Sequence, residues 1–348
     1  MSDKKVSVLI LNYNGKKYLK NCLDSVISQS YNNFEIVLFD NASADASVSF
    51  VKENYSDRVK LVESKINLGF AGGNNEGVKH CSGEFIILLN NDTTVDKNCI
   101  SELIDTFNKV SNPGIIQSLV LTEGISMKYY EMNGTINLLG HNIMREFRIE
   151  KDGVGKILLA TGAAMMFKKE LINELGELFP DEYFFYAEDT YFSLRTILAG
   201  FNNYHTSNSV VNHVGSGSLE KKKNSFVTFC QERNRLLNFL LLFSSKFLWK
   251  YYPYIFFNFF LKLARSIVDK KYSFRGLLKA YGWIFSNTGW IRNKRSILPR
   301  YNSKQERCVL ELISGKIFNG DNILEKFVNS LSILYCRIVS LKVLELNK

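Results

Sequence analysis

Residues 6–15 read VSVLILNYNG, a short apolar run that ends in an amide-rich turn. Three further apolar runs of strand length follow, at residues 34–39, 59–62 and 85–89. Between the first two runs lie apolar residues at helical spacing, such as Leu19, Leu23 and Val26. This alternation predicts a β-α-β-α order, in which parallel strands form one sheet and helices cover it. The fourth run is apolar throughout, which is typical of a strand buried on both faces.

Each predicted strand ends in amides, carboxylates or glycines. The four ends read NYNG at 12–15, DNAS at 40–43, NLGFAGGNN at 67–75 and NND at 90–92. Sheets of this kind bind ligands beyond the carboxyl ends of their strands, so these residues are expected to line one site. The glycine-rich end is neither GxGxxG nor a phosphate loop with Lys-Ser/Thr, which disfavours a dehydrogenase or P-loop enzyme. Ordinary strand-to-helix turns are the alternative interpretation.

Two carboxylates at these strand ends suit ligand chemistry. Asp40 follows the second strand, where it can accept a hydrogen bond from a ribose hydroxyl or a base N–H. Asp92 can bind a hard cation such as Mg²⁺ or Mn²⁺, which one or two carboxylates usually hold together with substrate phosphates. A turn residue that caps the backbone is the alternative for Asp92. Glycines 69, 72 and 73 would let backbone approach a ligand closely.

The middle of the chain carries isolated charged residues. Its pattern predicts strands at 115–120 and 163–167 and helices at 188–199 and 224–243. Glu188 and Asp189 begin the first of these helices, where carboxylates complement the helix dipole. By pattern alone His213 is a structural histidine, and Arg233 and Arg235 are helix surface charges.

The composition describes a globular protein with an uneven charge. The 348 residues are 46% hydrophobic and 22% charged, with a net charge of +10. Residues 1–220 carry 20 Lys and Arg against 27 Asp and Glu, whereas residues 221–348 carry 24 against 7. The second part, with a net charge of +17, is expected to face nucleic acid or acidic lipid, with a solvated Lys-rich surface as the alternative.

Residues 246–271 combine aromatic and basic side chains. Their longest uncharged run, 251–261, is shorter than the roughly 20 residues that span a bilayer. We therefore predict that this segment forms a helix lying in the membrane interface. The alternatives are that the helix packs on another part of the protein or on a partner, or that it inserts into the bilayer. The basic residues of this segment are Lys246, Lys250, Lys262, Arg265, Lys270 and Lys271.

The six cysteines form no CxxC pair and no zinc spacing with histidine, which indicates small core residues in a reducing compartment. The N-terminal apolar run ends at Leu11 and is too short for the core of a signal peptide. Residues 301–348 carry no interpretable pattern, and no feature of the sequence predicts an oligomeric state.

The order and spacing of the motifs resemble family 2 glycosyltransferases, in particular their rhamnosyltransferase-like branch. The resemblance covers about residues 5–240 and includes residues 8–15, 40–45, 67–75, 88–92, TGA at 161–163 and FFYAED at 184–189. It implies the GT-A fold, a Rossmann-like α/β architecture with a mostly parallel central sheet and flanking helices. A C-terminal helical, basic-aromatic extension would follow.

The resemblance also assigns roles to individual residues. It implies that Asp92 ligates the divalent metal, Mg²⁺ or Mn²⁺, that bridges the diphosphate, and that His213 completes the metal shell. The family motif often reads Asp-x-Asp, whereas this chain has Asn90-Asn91-Asp92. Nucleotide-sugar binding is assigned to Asn12, Tyr13, Asn14, Asp40, Asn41, Asn67, Gly69, Phe70, Gly72, Asn74, Asn91, Arg233 and Arg235.

The implied reaction is an inverting sugar transfer. Asp189 would be the general base that removes the acceptor proton, with Glu188 in support. Family members often have another Asp two residues further on, where this chain has Tyr191. The donor is expected to be a nucleoside diphosphate-sugar, with dTDP-rhamnose or a UDP-sugar as candidates. The acceptor is expected to be a lipid-linked glycan or a polysaccharide.

These expectations divide the chain into three blocks. Residues 1–240 form the transferase domain, residues 241–300 a helical membrane-associating region, and residues 301–348 a tail of unassigned role. We expect a cytoplasmic protein bound peripherally to the inner face of the cell membrane through anionic lipid, with no nucleic-acid partner. The alternatives are a non-catalytic GT-A-like binding or scaffold protein at the membrane and, from the basic tail alone, a nucleic-acid-associated protein.

Overall fold

The computed structural model describes residues 4–122, 135–143, 152–215, 225–268, 272–320 and 322–346. Two compact units make up the chain. The sheet unit contains Met1–Met132, Glu146–Phe184 and Phe201–Leu219, and the helical unit contains Asn133–Arg145, Phe185–Gly200 and Glu220–Lys348. Each unit is built from three separate stretches of sequence. The consecutive blocks expected from the sequence, 1–240, 241–300 and 301–348, stay a prediction.

The first half of the sheet unit has the predicted alternation of strands and helices. Four parallel strands lie in the order β3-β2-β1-β4. The cores of β1, β2 and β4 are apolar and buried, whereas β3 at the edge of the sheet is buried only at Val59. Every residue from Phe85 to Leu89 is buried, which confirms the fourth strand as buried on both faces. The elements are β1 (Val6–Asn12), α1 (Lys16–Ile27), β2 (Phe34–Asp40), α2 (Ser47–Tyr55), β3 (Val59–Glu63), α3 (Gly69–Lys79) and β4 (Phe85–Asn90).

The sheet becomes mixed beyond β4. Its order continues as β4-β10-β6-β11-β5, with β9 paired to β11, and β10 runs antiparallel to both of its neighbours. A second, two-stranded sheet of β7 and β8 belongs to the helical unit. The elements are β5 (Thr93–Val95), α4 (Cys99–Lys109), β6 (Pro113–Thr122), β7 (Thr135–Ile136), β8 (Asn142–Ile143), β9 (Val154–Ile157), β10 (Ala164–Lys168), α5 (Lys169–Leu175) and β11 (Asn202–His213).

The helical unit contains the remaining helices. The two helices predicted at 188–199 and 224–243 are confirmed, and residues 301–348, which the sequence left uninterpreted, contain two more. Each of these two is capped at its N-terminus by an asparagine, Asn302 or Asn322. The helices are α6 (Glu188–Leu198), α7 (Ser225–Leu242), α8 (Ser245–Val268), α9 (Phe274–Ser286), α10 (Thr288–Ile297), α11 (Ser303–Leu310) and α12 (Ile323–Ile338).

The described part of the aromatic and basic segment lies in one long helix, α8, which continues through Pro253. Within the described ranges, every helix is too short or too polar to cross a bilayer. Lys270 and Lys271 of the predicted interface segment lie outside the described residues, as do residues 216–218 after His213. Five cysteines are buried and Cys308 is exposed, so the core assignment is wrong for Cys308.

Candidate functional site

Three of the four polar strand ends meet at Asn12. The register places Asn12 beside Asp40 and Leu11 beside Asn90. The Asn12 Nδ2 atom donates to Asp40 Oδ1 at 2.8 Å, and the Asn91 Nδ2 atom donates to Asn12 Oδ1 at 2.7 Å. Since Asn12 and Asp40 are both buried, these bonds fix the edge of the sheet before any ligand binds.

A turn after β2 completes this network. The Asp40 Oδ2 atom accepts from the backbone N–H of Ser43 at 2.9 Å, and the Ser43 hydroxyl oxygen accepts from the backbone N–H of Asn14 at 2.9 Å. The Asn14 Oδ1 atom in turn accepts from the backbone N–H of Ala44 at 2.8 Å. Asn14 needs a φ of 49° for this, a conformation that asparagine tolerates better than most residues. Tyr13 beside it is half exposed.

The third strand end joins through Asn41. Its Nδ2 atom donates to Asn67 Oδ1 and to the carbonyl oxygen of Gly69, both at 3.0 Å. Its Oδ1 atom accepts from the backbone N–H of Leu68 at 2.8 Å. The amides therefore connect all four strand ends, as the sequence predicted, into one hydrogen-bonded rim.

The glycines of this rim have a packing role that the sequence interpretation missed. The stretch after Leu68 is the first part of α3, not an open loop. A Cβ atom on Gly73 would lie 2.6 Å from Leu11 Cδ1, and one on Gly69, where φ is +74°, would lie 2.4 Å from the carbonyl oxygen of Phe184. These glycines face protein atoms, which explains them without a ligand.

The other α3 residues assigned to the nucleotide also have partners within the sheet unit. A Cβ atom on Gly72 would lie 3.0 Å from the Cβ atom of Leu68. The buried Asn74 donates through its Nδ2 atom to the carbonyl oxygen of Phe70 at 2.9 Å, and the Phe70 ring lies 6.2 Å from that of Phe179. Their assignment to nucleotide binding stays a prediction.

Asp92 and His213 are brought together by strand pairing. Strand β11 runs antiparallel to β5 and places His213 beside Thr93. The His213 Nε2 atom lies 3.1 Å from Asp92 Oδ1 and 3.4 Å from Asn90 Nδ2. An imidazole nitrogen and a carboxylate oxygen at this separation suit one divalent cation.

This pair is a partial coordination shell. In the part of the chain that the structure describes, no group of three or more His, Cys, Asp or Glu could hold a metal ion. Mg²⁺-type sites commonly use one or two protein ligands and take the rest from water and substrate phosphates. The donor set therefore fits a metal that binds together with a diphosphate.

Glu188 and Asp189 begin α6 in the helical unit. The turn before them is strained, since Tyr186 and Ala187 have positive φ angles of 72° and 64°. Two amides of α7 stabilise this turn. Asn234 donates to the carbonyl oxygens of residues 185 and 186 at 3.0 and 2.8 Å, and Asn238 donates to that of Ala187 at 3.0 Å. The sequence interpretation missed both, although two asparagines four residues apart stand out in the otherwise largely apolar stretch NRLLNFLLL at 234–242.

The pKa of the Glu188 carboxyl is raised. Glu188 is buried, and burial together with the charge of Asp189 raises its pKa to about 8. Its Oε2 atom has no hydrogen-bond partner among the described residues. Glu188 therefore carries a proton at neutral pH. The Asp189 Oδ1 atom accepts from the backbone N–H of Thr190 at 2.6 Å.

The arginines of α7 are not surface charges. Arg233 is buried, with its guanidinium carbon 4.6 Å from the ring centre of Phe229 and 5.0 Å from that of Trp283. Arg235 pairs with Glu232 at 3.1 Å, and Glu232 also pairs with the buried Lys262 at 3.3 Å. The interpretation as exposed helix charge is wrong for Arg233 and incomplete for Arg235.

Comparisons with known proteins agree with this architecture. Residues 7–176 match the family described as Glycosyl transferase family 2. The glycosyltransferase GlyA of Streptococcus pneumoniae is 33% identical over 103 residues, which are 29% of this chain and 15% of that protein. Its alignment thus covers a small part of the relative's length.

A longer alignment links the chain to an archaeal enzyme. It is 26% identical over 231 residues, or 62% of this chain and 68% of the relative. That relative is the dolichyl N-acetyl-alpha-D-glucosaminyl phosphate 3-beta-D-2,3-diacetamido-2,3-dideoxy-beta-D-glucuronosyltransferase of Methanococcus voltae.

One solved structure supports the fold. The crystal structure of GalNAc-T7 with UDP, GalNAc and Mn²⁺ aligns with a TM-score of 0.60 at 16% identity. The alignment covers 86% of this chain and 59% of that one. The predicted GT-A class, with a central sheet, flanking helices and a C-terminal helical region, is confirmed.

Proposed function

We propose that this protein transfers a sugar from a nucleoside diphosphate-sugar to an acceptor hydroxyl, because residues 7–176 match the family described as Glycosyl transferase family 2. The contact between Asp92 and His213, at the edge where four polar strand ends meet, is the observation that carries this proposal. A donor of this kind needs both a nucleoside pocket and a cation for its diphosphate. The amide rim and this pair are suited to those two tasks.

Asp92 and His213 would hold the divalent metal, Mg²⁺ or Mn²⁺. When bound, the metal supplies positive charge that stabilises the departing diphosphate. The structure of GalNAc-T7 contains UDP and Mn²⁺, and the proposal extends this type of donor and metal to the present chain. Asn12, Asp40 and Asn41 would hold the rim in shape around the nucleoside, and the cationic Arg233 and Arg235 are proposed to help neutralise the diphosphate.

Asp189 is proposed as the general base. As the acceptor oxygen bonds to the anomeric carbon, the bond from that carbon to the diphosphate oxygen breaks and the acceptor proton passes to Asp189. This single displacement inverts the anomeric centre. The raised pKa of Glu188 supports the assignment, because a neutral Glu188 leaves Asp189 as the carboxylate of the pair that can take a proton.

The proposed acceptor is a lipid-linked glycan. The Methanococcus relative is named for transfer to a sugar on dolichyl phosphate, which supports an acceptor of this chemical class. A polysaccharide acceptor remains the second candidate. For the donor, dTDP-rhamnose and UDP-sugars are the candidates, the first because of the resemblance to the rhamnosyltransferase-like branch.

The test measures donor binding with and without metal. We expect at least one of a set of UDP-, dTDP- and GDP-sugars to raise the melting temperature with Mn²⁺, and EDTA to abolish the shift. Asp92→Ala should lose the shift, because it removes the carboxylate that holds the cation. Asp57→Ala, which removes an exposed carboxylate of the sheet unit, should keep it.

A donor shift of equal size in EDTA would contradict the metal role. Donor binding without any turnover would favour the alternative of a non-catalytic binding protein.

A further inference from the structure

Helix α8 carries large aromatic side chains on its exposed side as well as on its buried side. Its buried face combines aromatic residues such as Tyr251 with the polar Lys262, whereas Trp249, Phe256 and Phe260 are exposed, Trp249 to 77%. A helix that faces water normally buries its apolar stripe and exposes its polar one. The aromatic exposed side therefore indicates that this side of α8 contacts something other than water.

Helix α12 goes further, because its buried side is polar and its exposed side is apolar. Its buried residues are Asn329, Ser332 and Cys336. The exposed side carries apolar residues spaced three and four apart, which places them in one stripe along the helix. This stripe consists of Leu324, Phe327, Leu331, Leu334 and Ile338, with Ile338 71% exposed.

The two helices are neighbours within the helical unit. The Tyr254 hydroxyl lies 3.0 Å from the Ser332 hydroxyl, and the Tyr335 hydroxyl donates to the carbonyl oxygen of Lys250 at 3.0 Å. Ser332 and Tyr335 of α12 are thus used in the contact with α8. We call the exposed apolar side chains of both helices the apolar face: Trp249, Phe256, Phe260, Leu324, Phe327, Leu331, Leu334 and Ile338.

Both helices of this face carry exposed basic residues. Helix α8 contains four basic residues and no acidic one, and Lys246 and Arg265 near its ends are exposed. Lys326 and Arg337 are exposed on α12. A second copy of the chain would bring the same cations together across a symmetric contact, which opposes pairing. Anionic lipid complements both the apolar side chains and the cations.

We propose that the apolar face lies flat on an anionic bilayer, with its Phe, Leu and Ile side chains at the acyl boundary and its cations at the lipid phosphates. Trp249 would occupy the headgroup region, which tryptophan favours. The surface then includes α12 in addition to the segment 246–271 that the sequence predicted. This inference extends the proposed function, because a lipid-linked acceptor resides at the same bilayer.

The test is co-sedimentation of the full chain with vesicles in the absence of donor and acceptor. Wild type should bind vesicles containing about 30% phosphatidylglycerol and bind neutral phosphatidylcholine vesicles far more weakly. Leu331→Gln/Leu334→Gln on α12 and Phe256→Gln/Phe260→Gln on α8 should each lower the partition coefficient on the order of tenfold or more, because apolar area no longer leaves water. Ile66→Gln, an exposed apolar residue of the sheet unit, is the matched control and should bind as wild type.

Three outcomes would overturn the proposal. The first is that the α12 variant binds anionic vesicles as strongly as wild type does. The second is that wild type binds neutral and anionic vesicles equally. The third is that wild type is a dimer in solution and the α12 variant is a monomer. The last outcome would assign the apolar face to a second copy of the chain. Because vesicle binding needs no catalysis, Asp92→Ala should bind vesicles as wild type does, so failure here is separate from failure of the transferase assignment.

Discussion

The burial of Glu188 raises the pKa of its carboxyl and so decides which charge lies beside Asp189. A buried carboxyl without a hydrogen-bond partner for Oε2 keeps its proton, and the proton removes a negative charge that would otherwise lie beside Asp189. The resemblance assigned a supporting role to Glu188 without saying how it acts. The structure supplies a physical reason in the different environments of the two groups.

The raised pKa of Glu188 predicts a pH-dependent loss of stability. A carboxyl whose folded-state pKa lies at about 8, above the ordinary 4.5, stabilises the fold while it is protonated and loses that contribution as pH rises through this range. Relative to Glu188→Gln, wild type should lose up to about 4 kcal/mol of unfolding free energy between about pH 5 and pH 9. Urea unfolding at several pH values measures this.

The control for this prediction is Glu53→Gln, which replaces an exposed carboxyl of the sheet unit. It should follow the wild-type pH profile. Identical pH profiles for wild type and Glu188→Gln would show that Glu188 is ionised in the folded protein.

Individual site residues differed in how well the sequence revealed them. Asp40 and Asp92 stand directly after apolar strands, so their place at the sheet edge followed from local pattern. The contact of His213 with Asp92 depends on the pairing of β11 with β5, which brings together residues more than a hundred positions apart. Asn234 and Asn238 stand out in an apolar stretch, but the backbone that they contact lies in another segment, which local pattern does not identify.

Among the strands and helices, those with apolar runs were predicted from the sequence. The polar strand β11 and the glycine-rich helix α3 were not. Strand β11 reads NNYHTSNSVVNH, with too few apolar residues to be recognised. Helix α3 begins with glycines, which disfavour helix, and here close packing against β1 outweighs that preference. In both elements tertiary contacts supply what local propensity lacks.

Two glycines of α9 give a matched test of helix packing. A Cβ atom on Gly276 would lie 2.4 Å from the carbonyl oxygen of Ser225 and 2.7 Å from the Cβ atom of Thr228. Gly276→Ala should therefore separate α9 from α7 and destabilise the protein by about 1–3 kcal/mol. Gly282 lies in the same helix with nothing within 4 Å of its Cβ position, so Gly282→Ala should be neutral or stabilise by about 0.5–1 kcal/mol.

Thermal or urea unfolding of the two variants measures the difference. Equal stabilities for Gly276→Ala and Gly282→Ala would contradict the close contact of α9 with α7.

At the scale of the whole molecule, the order of the sequence conceals the grouping of its parts. The stretches 133–145 and 185–200 belong to the helical unit, although both are flanked by stretches of the sheet unit. Composition did anticipate the basic C-terminal part, because its excess of Lys and Arg is visible without any structure. The exposed apolar sides of α8 and α12 became visible only once burial was known.

Turnover of a nucleotide-sugar donor is the decisive measurement for metal-dependent sugar transfer by this protein. Release of nucleoside diphosphate from UDP-, dTDP- and GDP-sugars should be measured with Mn²⁺ and a bacterial lipid extract as acceptor. We predict that wild type turns over at least one donor and that Asp92→Ala and Asp189→Asn each lower the rate by about 100-fold or more. Asp189→Asn should still show the donor-induced rise in melting temperature. Full activity of either variant, or no binding and no turnover of any donor by wild type, would contradict the account.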